Sequence, residues 1–118
     1  MKTTEKKNPW YEVNEKDKVV TCIIRTKNGD AVGVARCSGL DDFDVEKGKK
    51  IALIKGMIQV RENERMLIQN TKNFLELTDS LGKNLKHKLL QHAIQEANDM
   101  LRINRKETKK LLNELKEF

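Results

Sequence analysis

The spacing of hydrophobic residues changes once along the chain, from the alternation of a sheet to the three-and-four spacing of helices. Two runs rich in β-branched residues, within 19–37, flank Asn28-Gly29. Asn-Gly between such runs is a strong signal of a β-hairpin, because a type I′ turn needs positive φ at both central residues. The pattern therefore predicts an antiparallel hairpin. In the register that follows, Lys27 pairs with Asp30, Ile24 with Gly33, and Val20 with Cys37.

The two faces of the predicted hairpin differ in character, because side chains alternate along a strand. One face is apolar and built from small residues. The other has an apolar floor with Arg25 and Arg36 at its margins, and arginine forks suit phosphate oxygens. We expect this second face to hold an anion. The small face consists of Val20, Cys22, Ile24, Ala31, Gly33, Ala35 and Cys37.

A helix is predicted directly after the hairpin. The acidic turn offers an N-cap at Asp42 or Asp44, where a carboxylate also complements the helix dipole. Gly48, Ala52 and Gly56 then form a stripe with almost no side chain. Two glycines in a helix cost about 1 kcal/mol each relative to alanine. Close approach by the small face of the hairpin is the expected compensation.

The remaining segments before the last helix carry weaker signals. Residues 1–8 are polar and terminal, which predicts a disordered tail, and residues 9–13 are expected to add a third strand. The polar run 61–65 lacks an apolar anchor, so the first helix either ends or runs exposed there. Residues 66–78 fit a hairpin or a helical continuation, and we favour helix.

A long C-terminal helix over 81–117 is predicted to start after Thr78-Asp79-Ser80. It carries a heptad seam too long for a small domain to cover, with Asn104 positioned to set register. We expect a homodimer or higher oligomer, against a helix folded back on the first one. The fold class is α+β, with one domain over 9–118. The seam is Leu90, Ile94, Ala97, Leu101, Asn104, Thr108, Leu111, Leu115 and Phe118.

The composition favours some classes of binding partner but does not identify one. A net charge of +6 favours polyanions, nucleotides or acidic membranes, while an aromatic share of 4% disfavours a stacking platform for single strands. No run of 18 apolar residues occurs and no apolar core follows the basic N-terminus, so neither a membrane span nor a secretory signal is predicted. We expect a cytoplasmic protein in which Cys22 and Cys37 are reduced and structural.

No catalytic or metal-binding motif is present in the sequence. The sequence contains none of four common motifs: the G-x-S-x-G nucleophile elbow, the Walker loop, H-E-x-x-H and the dinucleotide-binding G-x-G-x-x-G. Helix capping accounts for the acidic turn, and His87 and His92 are poorly spaced for a shared metal ion. We therefore expect no enzyme activity, no metal ion and no cofactor.

Cationic and stacking residues suggest a binding site instead. Arg25, Arg36 and Lys49 cluster near the hairpin, and a ring and an amide at Phe74 and Asn84 could stack on a base and read its polar edge. A core phenylalanine and a surface asparagine are the plainer interpretation. One side of the long helix is also basic, which fits either a binding surface or a solvated face. Its residues are Arg102, Arg105, Lys106, Lys109 and Lys110.

The segment Gly33-Val34-Ala35-Arg36-Cys37, with Asp41-Asp42-Phe43-Asp44 and Gly48-Lys49-Lys50-Ile51-Ala52, resembles small proteins encoded by phages of Gram-positive hosts. Among these it is similar to the Thoeris anti-defence "sponge" proteins over residues 19–58. The resemblance implies non-enzymatic capture of a cyclic ADP-ribose isomer in the host cytoplasm, which silences the antiphage signal. Some members assemble further and also hold cyclic oligonucleotides.

The resemblance also implies roles for individual residues, in a pocket between the sheet of one subunit and the helices of another. Arg25 and Lys49 would meet the pyrophosphate, although lysine lacks the bidentate fork of arginine. Phe74 and Asn84 would meet the adenine, and Arg102 a phosphate from the partner helix. Arg36 and Arg105 complete the cationic candidates.

Two other function classes stay open at this point. A small basic phage protein could bind nucleic acid through the same helix face, with an affinity that falls steeply as salt rises. Alternatively, a protein-interaction inhibitor could use the helix seam and need no small ligand.

Overall fold

A computed structural model describes residues 8–37, 42–81 and 87–118. Three strands, β1 (Trp10–Asn14), β2 (Val19–Thr26) and β3 (Gly29–Arg36), precede two helices, α1 (Val45–Leu81) and α2 (His87–Lys116). The strands form one antiparallel sheet in the order β1-β2-β3, which confirms the predicted α+β class, the hairpin and the third strand.

The chain divides into two compact units. We call Met1–Val60 with Lys110–Phe118 the sheet unit, and Arg61–Lys109 the helical unit. The single domain expected over 9–118 stays a prediction. The disordered tail predicted for residues 1–8 stays a prediction, and of these residues the structure describes Asn8. The Asn8 side chain donates to the carbonyl of Arg25 and accepts from its amide, both at 2.9 Å, so Asn8 is tied to β2.

The predicted hairpin register is wrong by two residues. Thr26 pairs with Gly29, Ile24 with Ala31 and Cys22 with Gly33, so Lys27 and Asn28 form the loop. The prediction needed positive φ at both Asn28 and Gly29, but only Gly29 has it, at 111°. The Thr26 hydroxyl donates to the Gly29 carbonyl at 2.6 Å and accepts from the Asn28 amide at 3.1 Å, which holds the loop. A shift of two residues preserves the faces.

The small face of the hairpin packs against α1, as predicted. A Cβ built on Gly33 would lie 2.0 Å from the Ala52 carbonyl oxygen and 2.3 Å from the Gly56 nitrogen. No side chain fits there, so the backbone of β3 touches the backbone of α1. A Cβ on Gly48 would lie 2.8 Å from a Val20 methyl group. The predicted compensation for helical glycine is confirmed, because both glycines of the stripe lie against the sheet.

The core of the sheet unit consists of small side chains. Val20, Cys22, Ala35 and Ala52 are buried at its centre. Larger side chains pack around this centre and are only partly buried, which follows from how little space the close approach leaves. They are Tyr11, Ile24, Phe43, Ile51 and Leu53.

Helix α1 begins directly after one of the two predicted caps and continues past 61–65, where its end was one of two alternatives. The Asp44 carboxylate accepts from the Lys47 amide at 3.1 Å, which identifies Asp44 as the N-cap. The helix continues through 61–65, where residues 61–64 are half-buried rather than exposed, and through 66–78, where helix is confirmed over hairpin. The predicted start signal at 78–80 is wrong. Hydroxyls of Thr78 and Ser80 bond back to the carbonyls of Phe74 and Leu77, as they do inside helices.

In the helical unit, α2 runs antiparallel to residues 61–81 of α1. Asn104 is buried and donates from Nδ2 to the Arg61 carbonyl at 2.9 Å. At the other end of the unit, Asp79 accepts from Gln91 at 2.7 Å and lies 2.6 Å from His87 Nδ1. These contacts join the two helices at both ends of the unit.

The heptad seam is therefore covered, within this unit, by the chain's own first helix. Ala97, Leu101 and Asn104 are buried, and Leu90, Ile94 and Thr108 are half-buried. The expectation that the chain could not cover this seam is wrong, because the continuation of α1 through 66–78 supplies a second helix. Asn104 sets register within one chain. Oligomer formation itself stays a prediction.

Neither helix of the described chain contains a stretch that is long and apolar enough to cross a membrane.

Replacement of Gly33 by alanine tests the backbone contact. We expect Gly33→Ala to lower the free energy of unfolding by about 3 kcal/mol, because the added methyl group overlaps backbone atoms of α1 that cannot rotate away. Urea denaturation followed by circular dichroism measures the change.

Gly48→Ala is the matched control. Its methyl group would meet a Val20 side chain rather than backbone, and alanine gains about 1 kcal/mol of helix propensity. We expect a loss of about 1 kcal/mol or less. Equal losses for the two variants would contradict the close backbone approach at Gly33.

Candidate ligand-binding site

A cavity of about 500 Å³ lies in the sheet unit, between the end of β3 and the first turns of α1. This volume falls in the range of small-molecule sites. Rings, cations and carboxylates all contribute to its wall, so it offers apolar contact, charge and hydrogen bonds together. The lining residues are Ala35, Arg36, Cys37, Asp42, Phe43, Asp44, Lys47, Gly48, Ile51 and Phe118.

Local structure explains why these side chains meet. Arg36 is the last residue of β3, and the Cys37 amide donates to the Lys18 carbonyl at 3.0 Å, which extends the pairing by one residue. Asp44 caps α1, and Lys47 lies one turn into the helix. Helix capping and strand pairing thus bring Arg36 and Lys47 to the wall of one cavity, with Arg36 at the end of the open face of the sheet.

The cavity wall carries two cations, Arg36 and Lys47, and two carboxylates, Asp42 and Asp44. The two carboxylates are not equally free to bind a ligand. Asp44 is engaged by the Lys47 amide, so one of its oxygens is already used in capping. The Cys37 thiol donates to the Asp42 carbonyl at 3.4 Å, which leaves the Asp42 carboxylate as an acceptor at the wall. The positive end of the α1 dipole adds to Arg36 and Lys47. The cavity can therefore accept an anion while also accepting hydrogen bonds from a ligand.

Two aromatic rings form the apolar part of the wall. Phe43 packs partly against the core, while Phe118 is 47% exposed. Aromatic faces of this kind accept a planar base by stacking. The arrangement is suited to binding.

Arg36 is the one predicted site residue that lines this cavity. Arg25 lies on the open face of the sheet, six residues along β2 from Val19, the partner of Arg36, so the two arginines are about 20 Å apart. Arg25 is 3.7 Å from Asp30 and 5.3 Å from the centre of the Trp10 ring. Arg25 and Arg36 of one chain do not converge on one anion.

Lys49 lies on the helix-facing side of the sheet, 5.5 Å from the centre of the Tyr11 ring and 3.9 Å from Glu46. Arg25 is on the opposite side of the same sheet. The two residues that the resemblance assigns to one pyrophosphate therefore do not meet within this unit. Their roles as ligand contacts stay predictions for an assembly of chains.

The predicted residues of the helical unit are also dispersed. Phe74 on α1 is 67% exposed, so it is not a core phenylalanine. Arg102 and Arg105 are exposed on α2, and Arg102 is 3.0 Å from Asp99. Asn84 lies outside the described residues.

Lys47, Phe43 and Phe118 are cavity residues that the sequence interpretation did not propose as ligand contacts. A signal for Phe43 exists, since a large ring directly before a helix cap must pack near the helix start. Lys47 and Phe118 had no comparable signal, because lysine is common in the first turn of a helix and Phe118 extends the apolar seam beyond the end of α2.

A second concave surface lies at the β1–β2 end of the open sheet face. It is lined by Glu12, Glu15 and Asp17, with Arg36 at its edge. These acidic side chains would repel an anion, so the charge at this end of the face does not favour the anion site predicted for it. Nowhere in the described chain do three or more histidine, cysteine, aspartate or glutamate residues group in a way that could hold a metal ion.

The thiol at the sheet centre is protected. Cys22 is fully buried, and burial raises the pKa of its thiol, while a hydrogen bond with Tyr11 lowers that pKa in part. Burial likewise raises the pKa of the Tyr11 hydroxyl. Cys22 and Cys37 are not joined in a disulfide.

No protein family, curated protein or solved structure matches this chain.

Thiol labelling tests the described cavity wall. We expect native protein at pH 7.5 to react with one equivalent of N-ethylmaleimide, at Cys37, because Cys22 is buried and its pKa is raised. Cys22 should react only in denaturant, and intact mass measures both steps. The Cys37→Ser variant should lose the fast reaction, and fast uptake of two equivalents by native protein would contradict this structure.

Proposed function

We propose that this protein captures a small phosphorylated nucleotide and holds it unchanged. The single observation that carries this proposal is the cavity at the start of α1, where Arg36 and Lys47 share a wall with the Phe43 and Phe118 rings. Phosphate oxygens suit the two cations, a base suits the rings, and ribose hydroxyls or a base amino group suit Asp42. A nucleotide presents all three kinds of group.

The ligand class that we propose is a cyclic nucleotide of the ADP-ribose type. The resemblance of residues 19–58 to anti-defence sponge proteins supports this choice, and those residues include most of the cavity wall. In this proposal a phage protein removes the signal in the host cytoplasm. The roles of Arg25, Lys49, Phe74, Asn84, Arg102 and Arg105 remain part of the proposal as contacts that a second subunit could complete.

Capture without turnover is consistent with the cavity chemistry. Micromolar to nanomolar binding requires about 8 to 12 kcal/mol. Charge-assisted hydrogen bonds contribute roughly 1.5 to 3 kcal/mol each, and a stacked ring adds about 1 kcal/mol. Two cations, two rings and the apolar area of the wall can together supply the lower end of that range.

Replacement of Arg36 by alanine tests the proposed site. We expect Arg36→Ala to weaken binding of a cyclic ADP-ribose isomer 10- to 100-fold in isothermal titration, because one charge-assisted contact is lost. The matched control is Lys27→Ala, which removes an equal charge from the exposed hairpin loop, eight residues along the chain from Val19, the partner of Arg36. We expect this control to change affinity less than threefold.

The same sample tests whether the ligand is held intact. After binding, the protein is denatured by heat and the released ligand is analysed by chromatography. Recovery of unchanged ligand supports capture. A product peak would show turnover and would overturn the proposal that the protein is not an enzyme. No binding by wild type, or equal weakening by Arg36→Ala and Lys27→Ala, overturns the site.

Nucleic-acid binding is a second candidate, favoured by the exposed basic side of α2. Arg102, Arg105, Lys106 and Lys109 are all exposed within two turns of one helix. Phosphate backbones bind such surfaces through counterion release. This surface is separate from the residues of the cavity, so the two candidates can be tested independently.

We expect any affinity for a random single-stranded oligonucleotide to fall with salt at a logarithmic slope of about −0.7 per phosphate contact. Replacement of Arg105 and Lys109 by alanine should reduce the magnitude of this slope by about one to two, measured by fluorescence anisotropy. Arg36→Ala serves as the control and should leave the slope unchanged. Salt-independent binding would exclude the basic side of α2 as the contact surface.

A further inference from the structure

The helical unit exposes large apolar side chains on both of its helices. Each is more than half exposed, although the seam between the helices is already filled. An apolar surface of this kind on a folded unit usually marks an interaction site. On α1 and α2 of this unit, the side chains concerned are Met66, Leu67, Phe74, Leu77, Leu89, Met100 and Ile103.

Five of these side chains lie on one side of the two-helix layer, namely Leu67, Phe74, Leu89, Met100 and Ile103, whereas Met66 and Leu77 lie on the side of α1 that faces away from α2. Contacts at Arg61–Asn104 and Asp79–His87 fix which side of each helix faces the other. At about 100° per residue, Leu67 and Phe74 lie roughly a third of a turn from that contact side of α1. The α2 residues lie a similar angle from theirs. Because the helices are antiparallel, the two stripes point to the same side.

The pairing of the helices also aligns the stripes along their length. Since Arg61 meets Asn104 and Asp79 meets His87, Leu67 is level with residues 98–99, next to Met100, and Phe74 is level with residues 91–92. On α1, Thr71 between the two apolar residues and Thr78 one turn after Phe74 are uncharged. We call this surface, built from residues 67–78 and 89–103, the apolar face.

Charged residues are concentrated on the other side of the layer. Glu62, Arg65 and Glu76 of α1 lie there, with Arg105 and Lys109 of α2, by the same helical geometry. On the apolar face Glu96 interrupts the α2 stripe, and it lies 2.9 Å from His92. The two faces of the layer therefore differ, since one carries most of its charged side chains and the other carries Leu67, Phe74, Leu89, Met100 and Ile103 with Glu96.

We propose that the apolar face binds the same face of a second copy of this chain. The pair would be related by a two-fold axis and would form a four-helix bundle from two helical units. This inference does not depend on the proposed ligand, because the cavity residues all belong to the sheet unit. It also gives exposed Phe74 a role other than stacking on a base.

The area and the charges favour a second copy over other occupants. The five side chains are each more than half exposed, and each has roughly 200 Å² of surface when fully exposed, so together they present on the order of 600 Å² per copy. A pair would bury about 1,200 Å², which is the lower bound for specific interfaces. At a net charge of +6, copies repel unless their cations stay apart, and this face keeps the basic side of α2 away from the contact. A membrane-binding face would be flanked by lysine or arginine, whereas threonine and Glu96 occupy this one.

Phe74→Glu tests the interface in the full chain, because Phe74 is exposed and its replacement leaves the packing between α1 and α2 intact. Analytical ultracentrifugation of wild type should give twice the chain mass of 13.7 kDa at micromolar concentration. Phe74→Glu should weaken self-association at least tenfold, because each copy would bury a carboxylate. Gln69→Glu is the control, with the same new charge on the opposite side of α1, and should remain dimeric.

Circular dichroism shows whether each variant is folded, and Leu89→Ser provides a second, uncharged test of the same face. Dissociation by Phe74→Glu and Leu89→Ser, with Gln69→Glu unaffected, supports the interface. A wild-type chain that stays monomeric to millimolar concentration overturns it. A dimer that survives both face variants, or a monomer that binds lipid vesicles through this face, overturns it as well.

Discussion

The contact between the backbone of β3 and the backbone of α1 is the constraint on which the sheet unit depends. At Gly33 no side chain fits, because even a methyl carbon would lie 2.0 Å from the Ala52 carbonyl oxygen. The sheet can approach α1 this closely only where both surfaces lack side chains. Gly33 and Ala35 on the sheet and Ala52 and Gly56 on the helix meet that condition together. The glycines are therefore retained in elements that would otherwise disfavour them.

This close approach determines what the rest of the unit can do. With its centre occupied by small residues, the sheet buries little apolar area, and larger side chains such as Tyr11 and Phe43 pack around the rim. Phe43 reaches the rim directly before the Asp44 cap, at the point where β3 ends and α1 begins. The cavity forms at this junction. Its cations are fixed by regular structure, Arg36 by the end of a strand and Lys47 by the first turn of a helix.

The helical unit follows a different principle. Its seam is continuous apolar packing interrupted by Asn104, whose amide donates to the Arg61 carbonyl. A buried amide that finds one specific partner fixes register between helices at some cost in stability. Arg61 reinforces this point, since its guanidinium lies 2.7 Å from Glu64 and 3.5 Å from Glu107. Polar contacts thus position two helices whose apolar residues alone would tolerate sliding.

Sequence alone determined the elements and their faces. Alternation of β-branched residues defined the hairpin, the glycine stripe of α1 predicted its contact with the small face, and an acidic turn predicted the cap, which is Asp44. The hairpin register differs from the prediction because the Thr26 hydroxyl, through local bonds to the Asn28 amide and the Gly29 carbonyl, holds a loop at Lys27-Asn28 that the Asn-Gly signal does not favour. Tertiary structure decided that the seam of α2 is covered by α1, since a heptad pattern specifies an apolar partner without specifying which helix supplies it. The cavity could not be predicted for the same reason: residues 36, 47 and 118 meet only when strand, helix and chain end are brought together, and no local pattern records that meeting.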